Sequence, residues 1–281
     1  MDVINLTYED VKRHLPIRKE TAHKGDFGKI LLLCGSVGYT GAPALAAMGA
    51  LRSGAGLVYL GVPQSIYEIE AVKLLEPIVF PVKDCNGKFC NESISDVFPY
   101  LQKADAVLIG PGIGRSKETS AFVQYVLSHY EGPVVLDADG ISLMSEHKDI
   151  LRGRTFPTIL TPHEGEFRRM ASLTEDRISS AVALAVDTCS VVVLKGHHTV
   201  VTDGKRVYVN LTGNPGMAVG GNGDVLAGLI LSLIGQGIEP LLASAYGVWI
   251  HGAAGDLCEK EFGQYGMLPS DLVTMIPRLM K

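Results

Sequence analysis

Short apolar runs punctuate the chain, and many stop at a glycine or an acid. Ile30–Cys34 runs into Gly35, Ala106–Ile109 into Gly110, and Val134–Leu136 into Asp137. Leu57–Val62 and Ile78–Val82 have the same character, as do Thr158–Leu160 and Val191–Leu194, which end at Thr161 and Lys195. Uninterrupted apolar runs of this length suit strands covered on both faces. Helical spacing fills the intervals, at Ala44–Ser53, Glu118–Tyr130, Ile141–Glu146 and Ser179–Thr188. Strand, helix and strand in repetition predict a three-layer α/β/α sandwich around a mostly parallel sheet. Thr199–Val201 and Arg206–Val209 flank the hairpin signal Asp203-Gly204 and predict an antiparallel pair at one edge. Nothing reads as a linker, a repeat or a low-complexity tail, so residues 1–281 are expected to form a single domain.

Composition narrows the partners. Hydrophobic residues make up 47% of the chain and charged residues 20%, enough apolar surface for a full core. A net charge of -5 and a pI near 5.9 argue against a nucleic-acid binder, which needs a basic face. They leave room for a small anion held by helix N-termini and one lysine. Five cysteines, Cys34, Cys85, Cys90, Cys189 and Cys258, contain no Cys-x-x-Cys pair. Cys85 and Cys90 are the closest, with no second pair or His pair to complete a zinc site, so free thiols in a reducing compartment are expected. Met1–Lys19 mixes acids and bases without the apolar stretch of a secretory signal, and no run has bilayer length. A cytoplasmic protein without a membrane partner is the expectation.

The chemistry concentrates in Gly213-Asn214-Pro215-Gly216-Met217-Ala218-Val219-Gly220-Gly221-Asn222-Gly223-Asp224, which leads into the apolar run Val225–Ile234. That run predicts a buried helix. A glycine-rich loop feeding a helix offers free amides and a positive dipole end, a combination that binds phosphate. Asp224 is out of place in an anion hole unless it has work of its own. A helix cap would not need the glycines in front of it. A base beside the anion hole would accept the proton of an acceptor hydroxyl as a phosphoryl group moves. Gly110-Pro111-Gly112-Ile113-Gly114-Arg115 imitates a dinucleotide fingerprint, but Arg115 stands at the third glycine, and no Walker loop is present.

Plainer roles compete for several residues. His163 reads equally well as a structural histidine, and Lys195 as a lysine reaching water from a strand end. Asp137 and Asp139 could end a strand and cap the helix at Ile141. His197 and His198 are adjacent and should point apart, which speaks against a metal pair.

Taken in order, these segments resemble the ribokinase-like superfamily, and within it the ADP/ATP-dependent NAD(P)H-hydrate dehydratases. The resemblance runs from about His23 to about Pro277. It rests on His23–Gly28, Gly41–Ala44, Leu51–Gly56, Gly110–Gly114, Leu136–Gly140, Thr161–Glu166, Lys195–Thr199 and Asn214–Asp224. It implies that water added to a dihydronicotinamide ring is removed by phosphorylating the ring hydroxyl from ADP or ATP and expelling phosphate. Asp224 would be the base, with the amides of Gly221, Asn222 and Gly223 around the moving phosphate. Lys195, Gly196, His197, His198 and Thr199 would hold the donor nucleotide, together with Gly223. Ala42, Gly112, Gly114 and His163 would contact the hydrate. Mg²⁺ would sit on the donor phosphates, with Glu166 and Asp137 acting through water. The resemblance further implies a homo-oligomer, a tetramer, and NAD(P)H-hydrate epimerase as functional partner. Three positions depart from the family pattern: Val219 where Thr is common, Asn222 where Thr or Ser is, and Glu164 where Pro follows the histidine. A vitamin-precursor kinase of the same superfamily and a non-catalytic nucleotide sensor remain open alternatives. His163 discriminates against the first, because such kinases usually carry Asn there, and Asp224 against the second.

Overall fold

The computed structural model describes residues 2–281. The strands are β1 (Val3–Ile4), β2 (Lys29–Leu33), β3 (Leu57–Pro63), β4 (Ile78–Val82), β5 (Asp84–Cys85), β6 (Lys88–Phe89), β7 (Ala106–Ile109), β8 (Val134–Leu136), β9 (Thr158–Leu160), β10 (Val191–Leu194), β11 (Val200–Thr202) and β12 (Val207–Val209). The helices are α1 (Tyr8–His14), α2 (Gly41–Arg52), α3 (Tyr67–Lys73), α4 (Ile94–Leu101), α5 (Lys117–His129), α6 (Asp139–Leu143), α7 (Lys148–Gly153), α8 (Glu164–Met170), α9 (Arg177–Thr188), α10 (Asn222–Gly235), α11 (Pro240–Gly266) and α12 (Pro269–Leu279).

Ten strands form one sheet in the order β1-β12-β11-β10-β9-β8-β7-β2-β3-β4, and β5 and β6 form a separate hairpin. Pairing is parallel except on either side of β11. The antiparallel pair is therefore present as the sequence predicts, with β1 added outside it. The apolar runs earn their burial on two sides. Ile30, Leu32 and Cys34 pack into one helical layer, while Leu31 and Leu33 pack into the other. Fully burying each such leucine or isoleucine contributes about 1.5–3 kcal/mol. No helix among the described residues is long and apolar enough to cross a membrane.

Helix α10 is apolar all round because it is enclosed all round: every residue from Val225 to Ile234 is buried. It crosses α2 with backbones in direct contact. A Cβ on Gly228 would lie 1.9 Å from the Ala46 carbonyl oxygen, and one on Gly49 would lie 2.5 Å from that of Val225. This crossing fixes where the N-terminus of α10, and so Asp224, stands against the start of α2.

Candidate active site

The carboxyl ends of β8, β9 and β10 bring Asp137, Thr161 and Lys195 together. Lys195 Nζ lies 2.7 Å from Asp137 Oδ1 and 4.0 Å from Glu166 Oε2. Thr161 Oγ1 donates to the same Asp137 oxygen at 2.6 Å. Asp137 is 1% exposed and the Lys195 side chain 18%, so the pair is largely dry. Burial lowers the lysine pKa, but the carboxylates of Asp137, Glu166 and Asp224 outweigh it, and the net direction is upward. The lysine remains a cation. The sequence alternative, a lysine reaching out to water, does not describe it.

Asp224 completes the group. Gly221 is the N-cap of α10, at φ +107, a backbone conformation that side chains rarely adopt. It supplies no capping side chain, and Asp224 sits inside the first turn. The cap reading of Asp224 is thereby set aside. The first amides of α10 have no acceptor within the helix and face the space in front of it. Burial pushes the Asp224 carboxyl up to about 7; Asp137 and Glu166 add to the rise and Lys195 opposes it. An acid poised near neutrality beside the amides of Gly223 and Asp224, which have no acceptor within the helix, can exchange a proton with a substrate hydroxyl. A Cβ on Gly223 would come within 3.3 Å of Lys195 Nζ, so the loop and the lysine are neighbours.

Asp224 opens on a cleft of about 330 Å³, lined also by Tyr39, Ala42, Gly112, Arg115, His163 and Glu166. Ala42, Gly112 and His163 thus line the same cleft as Asp224. Gly114 lies just behind, donating its N–H to Asp139 Oδ2 at 3.1 Å, while Arg115 pairs with Asp139 Oδ1 at 3.2 Å. Asp139 therefore anchors the Gly112–Arg115 turn as well as beginning α6. A larger hollow of about 660 Å³ beside Arg18, Arg52 and Gln236 includes none of these groups. The smaller cleft is the one at the strand ends where the chemistry converges.

His163 has the structural part considered for it and also lines the cleft. It is the N-cap of α8: Nδ1 accepts from the N–H of Gly165 at 2.9 Å and of Glu166 at 3.3 Å. That leaves Nε2 to carry the hydrogen, facing Glu166 Oε1 at 3.3 Å. Glu166 returns the contact, its Oε2 accepting from the His163 N–H at 2.9 Å. The reciprocal pair locks the Glu166 carboxylate beside Lys195. Glu164, in the proline position, starts α8 and pairs with Arg177, whose Nη2 donates to the carbonyls of Leu194 and Lys195 at 3.2 Å each. The turn carrying Lys195 is tied to α8 by this arginine.

Gly196, His197, His198 and Thr199 follow on an exposed turn, closed where Thr199 Oγ1 donates to the Gly196 carbonyl at 3.0 Å. Here the expectation for the histidines fails. Their rings stack at 3.8 Å instead of pointing apart, because His198 takes φ +56 and leaves the strand conformation that would alternate them.

One residue the sequence reading missed is His251, on α11. It is 8% exposed, and its Nε2 lies 2.9 Å from the carbonyl oxygen of Asn222. Burial drives its pKa down to about 4, against the raising effect of that hydrogen bond, so it is a neutral donor that steadies the first residue of α10. Asn222 itself is buried; Nδ2 donates to the Met217 carbonyl at 2.8 Å and Oδ1 has no partner.

A family model described as NAD(P)H-hydrate dehydratase matches residues 30–278. The chain is 38% identical over 284 residues to the bifunctional NAD(P)H-hydrate repair enzyme Nnr of Moorella thermoacetica, covering 98% of this chain and 53% of that protein. To the protein of the same name from Thermofilum pendens it is 35% identical over 274 residues, covering 95% and 52%. The chain spans about half the length of these curated relatives. Among solved structures, the ADP/ATP-dependent NAD(P)H-hydrate dehydratase of Bacillus subtilis, co-crystallized with ATP/Mg²⁺, superposes with a TM-score of 0.82 at 32% identity, covering 99% of this chain and 98% of that one. A ribokinase-like superfamily protein of Enterococcus faecalis reaches 0.87 at 26% identity, covering 98% and 94%. The hydroxyethylthiazole kinase of Pyrococcus horikoshii, at 0.64 and 17% identity, shares the fold. The chain belongs to the NAD(P)H-hydrate dehydratase family.

Proposed function

We propose that the chain regenerates NAD(P)H from its hydrate at the expense of ADP or ATP. The hydrate hydroxyl oxygen attacks the terminal phosphorus of the donor, the bond from that phosphorus to the donor's bridging oxygen breaks, and Asp224 takes the hydroxyl proton. Phosphate then leaves the ring carbon with the C–O electron pair, a neighbouring ring position loses a proton, and the double bond returns. The chemical logic is the exchange of hydroxide, a poor leaving group, for phosphate.

One observation carries this reading: Asp224, near neutrality, shares the first turn of α10 with amides that have no helical acceptor, and Lys195 lies beside them. Gly221, Asn222 and Gly223 would surround the transferring phosphate. Lys195, Gly196, His197, His198 and Thr199 would hold the donor, and Ala42, Gly112, Gly114 and His163 would position the hydrate. Mg²⁺ fits the donor set, because three carboxylates, Asp137, Glu166 and Asp224, face the single cation of Lys195. Asp137 and Glu166 would hold it through water, since Asp137 Oδ1 is already engaged by Lys195 and Thr161. When bound, the ion would neutralise the donor phosphates. A cytoplasmic location accords with five free cysteines. A homotetramer and an epimerase partner, the one supplying the epimer that the dehydratase accepts, belong to the same reading.

The test is hydrated NADH or NADPH mixed with the chain, Mg²⁺ and either donor. Dihydropyridine absorbance should return, with one phosphate released per ring. A stable phosphorylated alcohol would assign a kinase instead, and no reaction with either donor would sink the proposal.

A further inference from the structure

The β5–β6 hairpin carries a cluster that the reaction does not use. Cys85 ends β5, Cys90 follows β6, and Glu92 lies in the short turn Asn91–Ser93. One donor atom from each, two sulfurs and a carboxylate oxygen, lie within 4.8 Å of one another. Cys85 Sγ is 3.5 Å from Glu92 Oε2. Around a tetrahedral zinc ion, with Zn–S near 2.3 Å and Zn–O near 2.0 Å, the S···O edge is about 3.5 Å and the S···S edge about 3.8 Å. From these distances we propose that Cys85, Cys90 and Glu92 form a binding site for a soft divalent cation, zinc in the first instance, with water as the fourth ligand.

The three donors are already in place. Asn86 and Gly87, at φ +55 and +73, make the two-residue turn that holds β5 against β6. Asp84 Oδ1 accepts from the Gly87 N–H at 2.9 Å. Beyond β6, Ser93 Oγ accepts from the Cys90 N–H at 2.9 Å and donates to the Lys83 carbonyl at 2.6 Å. The Ser93 backbone N–H donates to the Cys90 carbonyl at 3.0 Å, closing the turn that carries Glu92. Cys90 is buried, Cys85 half-buried and Glu92 exposed, so an ion can enter from solvent. Two sulfurs select zinc over magnesium or calcium. The sequence reading dismissed the cysteine pair for want of a second pair; Glu92, brought round by the turn, is the ligand it did not count. The site braces a hairpin that also supports the cleft, because the Gly87 carbonyl accepts from the Val37 N–H at 3.0 Å, two residues before Tyr39.

Cobalt supplies the readout. The complete chain, reduced and stripped with chelator, is titrated with Co²⁺ alone. One equivalent should bind with a sulfur-to-cobalt charge-transfer band, and Zn²⁺ should displace it and raise the melting temperature. Cys85→Ser should abolish the band and weaken zinc binding at least tenfold. Glu92→Gln, on the surface and safe for folding, should weaken binding and alter the visible cobalt spectrum, whereas Cys189→Ser at a distant exposed thiol should change neither. No charge-transfer band in the parent overturns the proposal. So does a band that survives Cys85→Ser, or a Glu92→Gln variant with the parent's affinity and spectrum.

Discussion

Lys195 Nζ reaches Asp137 Oδ1 at 2.7 Å across the end of β9, joining two strands that are not themselves neighbours. The lysine faces three acids there, Asp137, Glu166 and Asp224. Lys195→Met should leave Asp137 and Glu166 uncompensated and cost about 2–4 kcal/mol of stability, a little less than a fully buried pair because water reaches one side. KM for the donor nucleotide should rise well above the change in kcat. Chemical denaturation and donor titrations check both; an unchanged midpoint would show the pair to be dispensable.

Asp224 gives a pH profile of defined sign. Its carboxyl is ordinarily ionised above 3.8 but is held up to about 7 in the folded chain. As a base it works deprotonated, so kcat/KM should climb as pH passes about 7 and level off above. Stability should move the other way. Between 3.8 and about 7 the folded chain binds more protons than the unfolded one, so stability falls as pH rises through that window. Asp224→Asn should therefore lose activity by about 10²–10⁴-fold. It should also melt higher than the parent at pH 8, by an amount on the order of 1–3 kcal/mol. A variant that kept its rate would remove Asp224 from the chemistry.

His251 titrates in the opposite sense. Its pKa is depressed from 6.5 to about 4, so the stability it protects is present above 6.5 and drains away as pH falls towards 4. The parent should lose up to about 3 kcal/mol across that range from this residue alone. His251→Gln should flatten that part of the curve. Denaturation midpoints at pH 7 and pH 4.5, compared between the two proteins, decide it.

The glycines of the loop and of the helix behind it should separate cleanly under mutation. A Cβ on Gly220 meets nothing within 4 Å, whereas one on Gly228 strikes the Ala46 carbonyl. Gly220→Ala should fold within about 1 kcal/mol of the parent and report on phosphate access through KM. Gly228→Ala should be destabilised by about 3 kcal/mol or more, because backbone and not a movable side chain lies in the way. Equal stabilities for the two would contradict the packing described.

The sheet was legible because its strands are buried on both faces and so write themselves as unbroken apolar runs. β1 was not: it is two residues long, Val3 and Ile4 stay 44% and 41% exposed, and its pairing with β12 depends on a partner far along the chain. Helix α2 begins at Gly41, ahead of the expected Ala44, since the early glycine and proline at its N-terminus hide the helical period. In the cleft, the glycine loop and Asp224 stood out by composition. What no spacing reveals is that Asp137, Glu166, Lys195 and Asp224, carried on separate elements, meet at one point. His251 was invisible for a related reason, as a histidine within the apolar stretch Ala245–Ala254 of α11 shows neither what it faces nor that it must stay neutral.

Contact between bare backbones at Gly49 and Gly228 leaves no cushion of side chains between α2 and α10 that could compress or slide. The helices that carry Ala42 and Asp224 therefore travel as a single rigid girder, and a molecule in the cleft cannot be accommodated by prising them apart. Adjustment falls to the rim, to Tyr39, 61% exposed, and to the Gly112–Arg115 turn. On the proposed function, choice between related substrates would be a matter of trimming that rim, and a broader ligand range would be reached by changing a few exposed side chains while the frame beneath stays as it is.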